Sequence, residues 1–225
     1  DTDNEDKTLS SAEKDVFKRQ YLKMRTNYEN KIRELDIIKE LVDTLRLTGV
    51  YDRNILFYNQ LQIVKKYTSL EQAFLLLMND EVQKLELVAN ADDNTMVVQK
   101  FFLEPNLGTA GRVLMEKRPV LIDDIEETCT PAEKRWLRGH SLLGIPVMHN
   151  DDVVGILALV HTRKNGFDQN DVNFFRLVAD QVSTAVVLTR IYSQMLKEEN
   201  KRFLLSRFFS KNVTDEILGS KGLLR

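Results

Sequence analysis

The chain has 225 residues, 43% of them hydrophobic, 29% charged, and a formal net charge of −2. That is enough chain for one domain of usual size with extensions, while the near-zero balance argues against nucleic acid, which needs a basic face. No apolar run reaches the length of a membrane span, no leader peptide opens the chain, and a single cysteine (Cys129) rules out an internal disulfide or a cysteine-based zinc site, so a cytoplasmic location is the default.

Residues 1–11 open acidic and polar and read as a disordered linker. Residues 12–47 lack Gly and Pro, and read as one helix about 54 Å long at about 1.5 Å per residue. Tyr21, Met24, Tyr28, Leu35, Ile38, Val42 and Leu45 follow the alternating three- and four-residue spacing of a coiled-coil seam, with Lys31 as an interruption. A lone helix of this kind is poorly stable in water. A second copy of the chain is therefore expected along it; the plainer reading packs Ile32, Ile37 and Leu41 on the chain's own domain. Gly49 ends this helix, and Asp52 caps a second over 53–67. The period then shortens. Strands are expected at 73–78, 85–89 and 96–103, separated by the polar turns 79–81 and 92–94.

Gly108 and Gly111 punctuate a loop that opens a short helix. Free backbone N–H groups at such a loop can hold an anion, but the phosphate-loop and dinucleotide spacings are absent. Close backbone packing is the plainer role. A short strand at 119–122 follows, then a polar segment through Cys129 and Pro131, and a brief helix around Glu133–Leu137 carrying Trp136, the only tryptophan. Residues 141–148 and 153–160 form a hairpin across a polar turn. Its second strand is apolar throughout and reads as buried on both faces. Pro146 lacks a ladder donor, which calls for a free edge or a bulge beside it. Asp168 caps the last helix, where Phe174, Leu177, Val178, Val182, Ala185 and Val186 face the sheet, and Leu188, Tyr192, Met195 and Leu196 extend a rod. The tail 203–218 is apolar enough to pack on a further domain or a second chain, and both ends read as cuts in a longer protein.

No catalytic set stands out. Asp123 and Asp124 are neighbours on a strand and point to opposite faces. His140 and Ser141 lack an orienting acid. The three histidines (His140, His149, His161) read as surface or strand-end residues, and no metal set is evident.

The order of these stretches resembles the GAF domain family of small-ligand sensors. The resemblance rests on Phe74–Met78, Leu85–Ala89, Leu107–Val113, Arg118–Asp124, Arg138–Val147, Val153–Leu159, Phe167 and Asp171, and spans residues 50–192. It implies an α+β fold with a six-stranded antiparallel sheet and helices on both sides. It also implies a ligand pocket bordered by Phe74, Thr109, Asp124, Arg135, Trp136, Arg138 and Ser141. A parallel homodimer joined by the first and last helices, including Leu188, Tyr192 and Met195, is implied as well. Cyclic-nucleotide binders of the family carry an Asn-Lys…Phe…Asp-Glu motif. Here Phe167 and Asp171 match, but His161, Thr162 and Val172 replace the rest, which argues against a cyclic nucleotide. Cys129 has no neighbouring histidine, which argues against a bilin.

The tail Leu204–Leu218 is similar to the segment preceding the catalytic domain of bacterial class III adenylate and guanylate cyclases. The expected organisation is a signalling helix (12–47), a sensor domain (48–192) and a linker (193–225) to a cyclase domain in cis. This stretch would itself be inactive and would regulate cAMP synthesis through ligand-dependent helix packing. The alternatives are a ligand-free structural dimeriser filled by Phe74, Leu76, Phe101 and Leu143, or a sensor serving a phosphatase or histidine kinase. A free-methionine-sulfoxide reductase, which uses this fold with several cysteines, fits poorly with one.

Overall fold

The computed structural model describes residues 11–48, 52–91 and 102–208, with side chains from 15 to 204. The linker 1–10, most of the expected third strand including Phe101, and the tail beyond Phe208 lie outside the described residues.

Helix α1 (Ser11–Thr48) and helix α2 (Arg53–Tyr67) lead into a six-stranded sheet. The Asp52 carboxylate caps α2 by accepting from the backbone N–H of Asn54 and Ile55, at 3.0 and 3.2 Å. The strands are β1 (Leu70–Asn79), β2 (Lys84–Asn90), β3 (Phe102–Leu103), β4 (Val120–Ile122), β5 (Ser141–His149) and β6 (Asp152–His161), in the order β3-β2-β1-β6-β5-β4. Every neighbouring pair is antiparallel. Three short helices separate β3 from β5: α3 (Gly108–Glu116), α4 (Ile125–Thr128) and α5 (Pro131–Lys134). Helix α6 (Gln169–Phe208) closes the chain.

The β5–β6 hairpin turns through Asn150 and Asp151, and Asn150 takes φ +53, a left-handed conformation that asparagine tolerates. Residues 154–160 are all buried, because helices cover one face of β6 and a second apolar cluster covers the other. The β4 ladder stops at Gly144, two residues before Pro146, and the β5–β6 register shifts between Val147 and Met148. Both the free edge and the bulge expected beside this proline are present.

Two local expectations need correction. The segment before Cys129 holds helix α4, capped by Asp124, whose carboxylate accepts from Glu126 N at 3.0 Å. The next helix lies at Pro131–Lys134, four residues long, instead of around Glu133–Leu137. Its signal was in the sequence: Thr130-Pro131-Ala132-Glu133 is a capping box with proline at the first helical position.

Alternation along the strands sorts side chains into two clusters. Leu75, Leu77, Leu143, Ile145, Leu157 and Leu159 join α2, α6 and the end of α1 in one core. Phe74, Leu76, Leu142, Ile156, Ala158 and Val160 join Val113 of α3, Ile125 of α4, and Cys129 and Leu137 in the other. On α6, Phe174, Val178, Val182, Ala185 and Val186 are buried, whereas Leu177 is exposed, contrary to its expected place.

Helix α1 has two halves. Ile37 and Leu41 are buried on the domain, and Ile38, Val42 and Leu45 are half-buried there. From Asp15 to Arg33 every side chain is exposed, Ile32 included. Tyr21, Met24, Tyr28 and Leu35 thus form a bare apolar stripe. Helix α6 repeats this division: from Ser193 to Leu204 every side chain is exposed. Asn30–Ile37 of α1 borders the start of α6 at Asp168–Phe174, whereas Arg53 borders α6 between Val186 and Lys197. The two helices therefore run in the same direction, and their bare ends, each roughly 20–30 Å long at about 1.5 Å per residue, leave the domain at opposite ends.

Candidate functional site

The sheet face away from α1 and α6 borders a cavity of about 590 Å³, a size usual for small-molecule sites. Leu76, Leu142, Gly144, Ile156 and Ala158 make its floor. Leu107, Thr109, Ala110 and Val113 of the α3 segment form one wall, and Trp136 with Thr130 forms another. Phe102 and Leu103 of β3 close a side. The lining is mostly apolar.

Glu133 is the one charged side chain buried in this wall. One carboxylate oxygen accepts from Thr109 N at 2.6 Å; the other accepts from Thr130 N at 2.9 Å and Thr130 Oγ1 at 2.8 Å. Burial pushes the carboxyl up, but these donors together outweigh it and hold the group below its ordinary value. Glu133 thereby caps two helices, its own α5 and the first turn of α3. Gly108 permits this approach. Its φ is +61, and a Cβ there would stand 2.5 Å from the Glu133 carboxylate. Gly111 lies against the Asn106 backbone, where a Cβ would meet carbon at 2.7 Å. The glycine loop thus packs closely, and the chain's own Glu133 occupies its anion position.

A second polar clamp lies behind the Trp136 wall. Gln72 is buried, its Oε1 accepts from Arg138 N at 2.5 Å and its Nε2 donates to Trp136 O at 3.3 Å. Phe74 meets the Trp136 ring edge-on at 5.2 Å between centroids. Neither Gln72 nor Glu133 was singled out from the sequence. The Thr130–Glu133 capping box is a local signal, but Glu133 reaches Thr109 across 24 residues and Gln72 reaches Arg138 across 66, beyond any local pattern.

Of the residues that the sequence suggested for a pocket, Thr109, Arg135 and Trp136 line the cavity, with Arg135 exposed at its rim. Phe74 packs behind Trp136. Arg138 is exposed, with its backbone held by Gln72. Asp124 caps α4 and pairs with Lys164, which holds its carboxyl below the usual range. The buried Ser141 hydroxyl donates to Arg163 O at 2.8 Å and accepts from Gly166 N at 3.2 Å. These last three tie loops away from the cavity. Cys129 is buried, 4.0 Å from Thr109 Oγ1, and burial pushes its thiol up. His140 and His149 are exposed; His161 ends β6 but is buried edge-on to Phe167 at 5.6 Å. Among the described residues no acidic, His or Cys cluster is arranged to hold a metal, and no helix is long and apolar enough to cross a membrane.

The family model of the GAF domain matches residues 56–187, which include the whole sheet and the cavity. The chain belongs to the GAF domain family. GAF domains are regulatory sensor modules of signalling proteins. The GAF domain of a phosphoenolpyruvate-protein phosphotransferase from Coxiella burnetii aligns with a TM-score of 0.64 at 17% identity, over 73% of this chain and 99% of that one. A methyl-accepting chemotaxis protein fragment aligns with a TM-score of 0.56 at 18% identity, over 69% and 98%. A free methionine-R-sulfoxide reductase from Neisseria meningitidis, solved with its substrate, aligns with a TM-score of 0.55 at 13% identity, over 71% and 89%. At these identities the likeness is one of fold. No curated protein matches the sequence.

Proposed function

We propose that this chain is a sensor module in which a small molecule in the cavity sets the packing of α1 and α6 and so controls a catalytic domain that follows it in cis. One observation carries the reading: the cavity and the long helices lie on opposite faces of one sheet. Ile156 and Ala158 touch the cavity, while their neighbours Leu157 and Leu159 touch the helical core. A ligand that shifts β6 shifts the bed on which α6 lies. Such control requires the ligand to bind one arrangement better than the other.

The bare stripe Tyr21–Leu35 on α1 and the exposed Leu188 and Met195 on α6, with Tyr192 half-buried between them, support a parallel homodimer, since exposed apolar helix faces gain from a partner. The tail's similarity to the linker of class III cyclases favours a nucleotide cyclase as the output, in a cytoplasmic protein. The reductase reading is weaker, because that chemistry uses several cysteines and Cys129 is single and buried. Native mass spectrometry of the purified chain tests the reading. A dimer that carries a small extra mass, lost on denaturation, is the expected result. A monomer defeats the helix account, and a bare dimer unchanged by any added ligand favours a structural dimeriser.

A further inference from the structure

We infer that the cavity takes an uncharged, largely apolar ligand, and that Glu133 is the residue that turns away phosphates and carboxylates. The inference rests on the sensor reading above and names the chemistry that such a sensor would recognise.

A phosphate-binding cavity normally offers either a buried cation or a free helix N-terminus. Among the described residues neither is on offer. Arg135, the cation bordering the cavity, is exposed at its rim. The N-terminus of α3 does point into the wall, but Glu133 already holds Thr109 N at 2.6 Å, and its negative charge offsets the positive end of that helix. An anion in the cavity would lie beside a buried carboxylate among apolar walls, where like charges repel strongly. An apolar body faces no such barrier. Leu76, Val113, Trp136, Leu142, Ile156 and Ala158 offer it dispersion contacts and exclude water.

A matched pair of probes separates charge from shape: N-phenyl-1-naphthylamine, and the same ring system bearing a sulfonate, 1-anilinonaphthalene-8-sulfonate. Both are titrated by fluorescence against the whole chain, alongside cAMP and cGMP by calorimetry. Ala132→Trp, at the exposed rim, blocks the entrance and shows which binding occurs in this cavity. The expected result is that the neutral probe binds once per chain and is lost in A132W. The sulfonate should bind about tenfold more weakly or worse, and Glu133→Gln should narrow that gap. If the sulfonate or a cyclic nucleotide binds as tightly as the neutral probe and is lost in A132W, the proposed ligand class is wrong while the sensor reading stands. If no probe binds and the native mass is bare, both fall. The comparison on the unaltered chain decides the matter even if E133Q does not fold.

Discussion

The two faces of the sheet are built on different principles. The face toward α1, α2 and α6 is filled by aliphatic and aromatic side chains, and its cohesion is that of a close-packed core. The opposite face keeps a cavity of about 590 Å³. Its walls are short helices and loops held by polar clamps, Glu133 on Thr109 and Thr130, and Gln72 on Trp136 and Arg138. A filled face needs no directional bonds because packing fixes it. A face that stays open cannot rely on packing across the gap, so hydrogen bonds must hold its walls apart.

If that contrast is right, adjacent residues of β6 respond unequally to truncation. Leu157→Ala removes a fully buried side chain from the filled face and should cost about 3–4 kcal/mol. Ile156→Ala, which merely enlarges an existing cavity, should cost roughly half as much. Chemical denaturation midpoints at constant slope measure both. Equal losses would mean that the two faces are equally packed.

Backbone and polar changes should do the reverse and strike the open face. Gly108→Ala places a side chain at φ +61 and against Glu133, and should cost about 2–3 kcal/mol. Gln72→Leu leaves Arg138 N and Trp136 O without their buried partner and should cost about 1–2 kcal/mol. Because Trp136 is the only tryptophan, its emission should shift to the red in Q72L, and hydrogen exchange at Arg138 should quicken. An unchanged spectrum with a cooperative loss of stability would place the role of Gln72 in the sheet, not in the cavity wall.

Most of the sheet was legible because its signals are local. The apolar run at 153–160, the turn around Asn150, and the caps at Asp52 and Asp168 each lie within a few residues of what they specify. The order of the stretches brought Thr109, Arg135 and Trp136 to the cavity. What stayed hidden depends on distant pairs. Asp124 and Ser141 look like pocket residues by position, yet Lys164 and Gly166, both past the hairpin, draw them to other tasks. The seam on α1 reads as running along the whole helix with one interruption at Lys31, but the domain takes up Ile38, Val42 and Leu45 and leaves only its first half bare.

The smallest expected effects set one carboxylate from each face against the other. Glu133, on the open face, has its value held below the ordinary 4.5. Its stabilising contribution is present above about that pH and is lost as pH falls through the lower folded value. Asp171, in the first turn of α6 on the filled face, is shifted the other way, chiefly by burial and then by the nearby Asp168 carboxylate, although its Oδ2 accepts from Asp168 N at 2.8 Å. Its charge costs stability once pH rises through the raised folded value, and protonation relieves that cost. Replacing each by its amide makes the signs visible. Thermal melts from pH 7 to pH 3 should show E133Q less stable than the parent at neutral pH, with the difference shrinking in acid. D171N should be as stable or slightly more stable at neutral pH, because the amide oxygen can still accept from Asp168 N, and should lose that advantage in acid. Parallel pH profiles for the two variants would mean that hydrogen bonding does not outweigh burial at Glu133, and the polar-clamp account of the open face would fail with it.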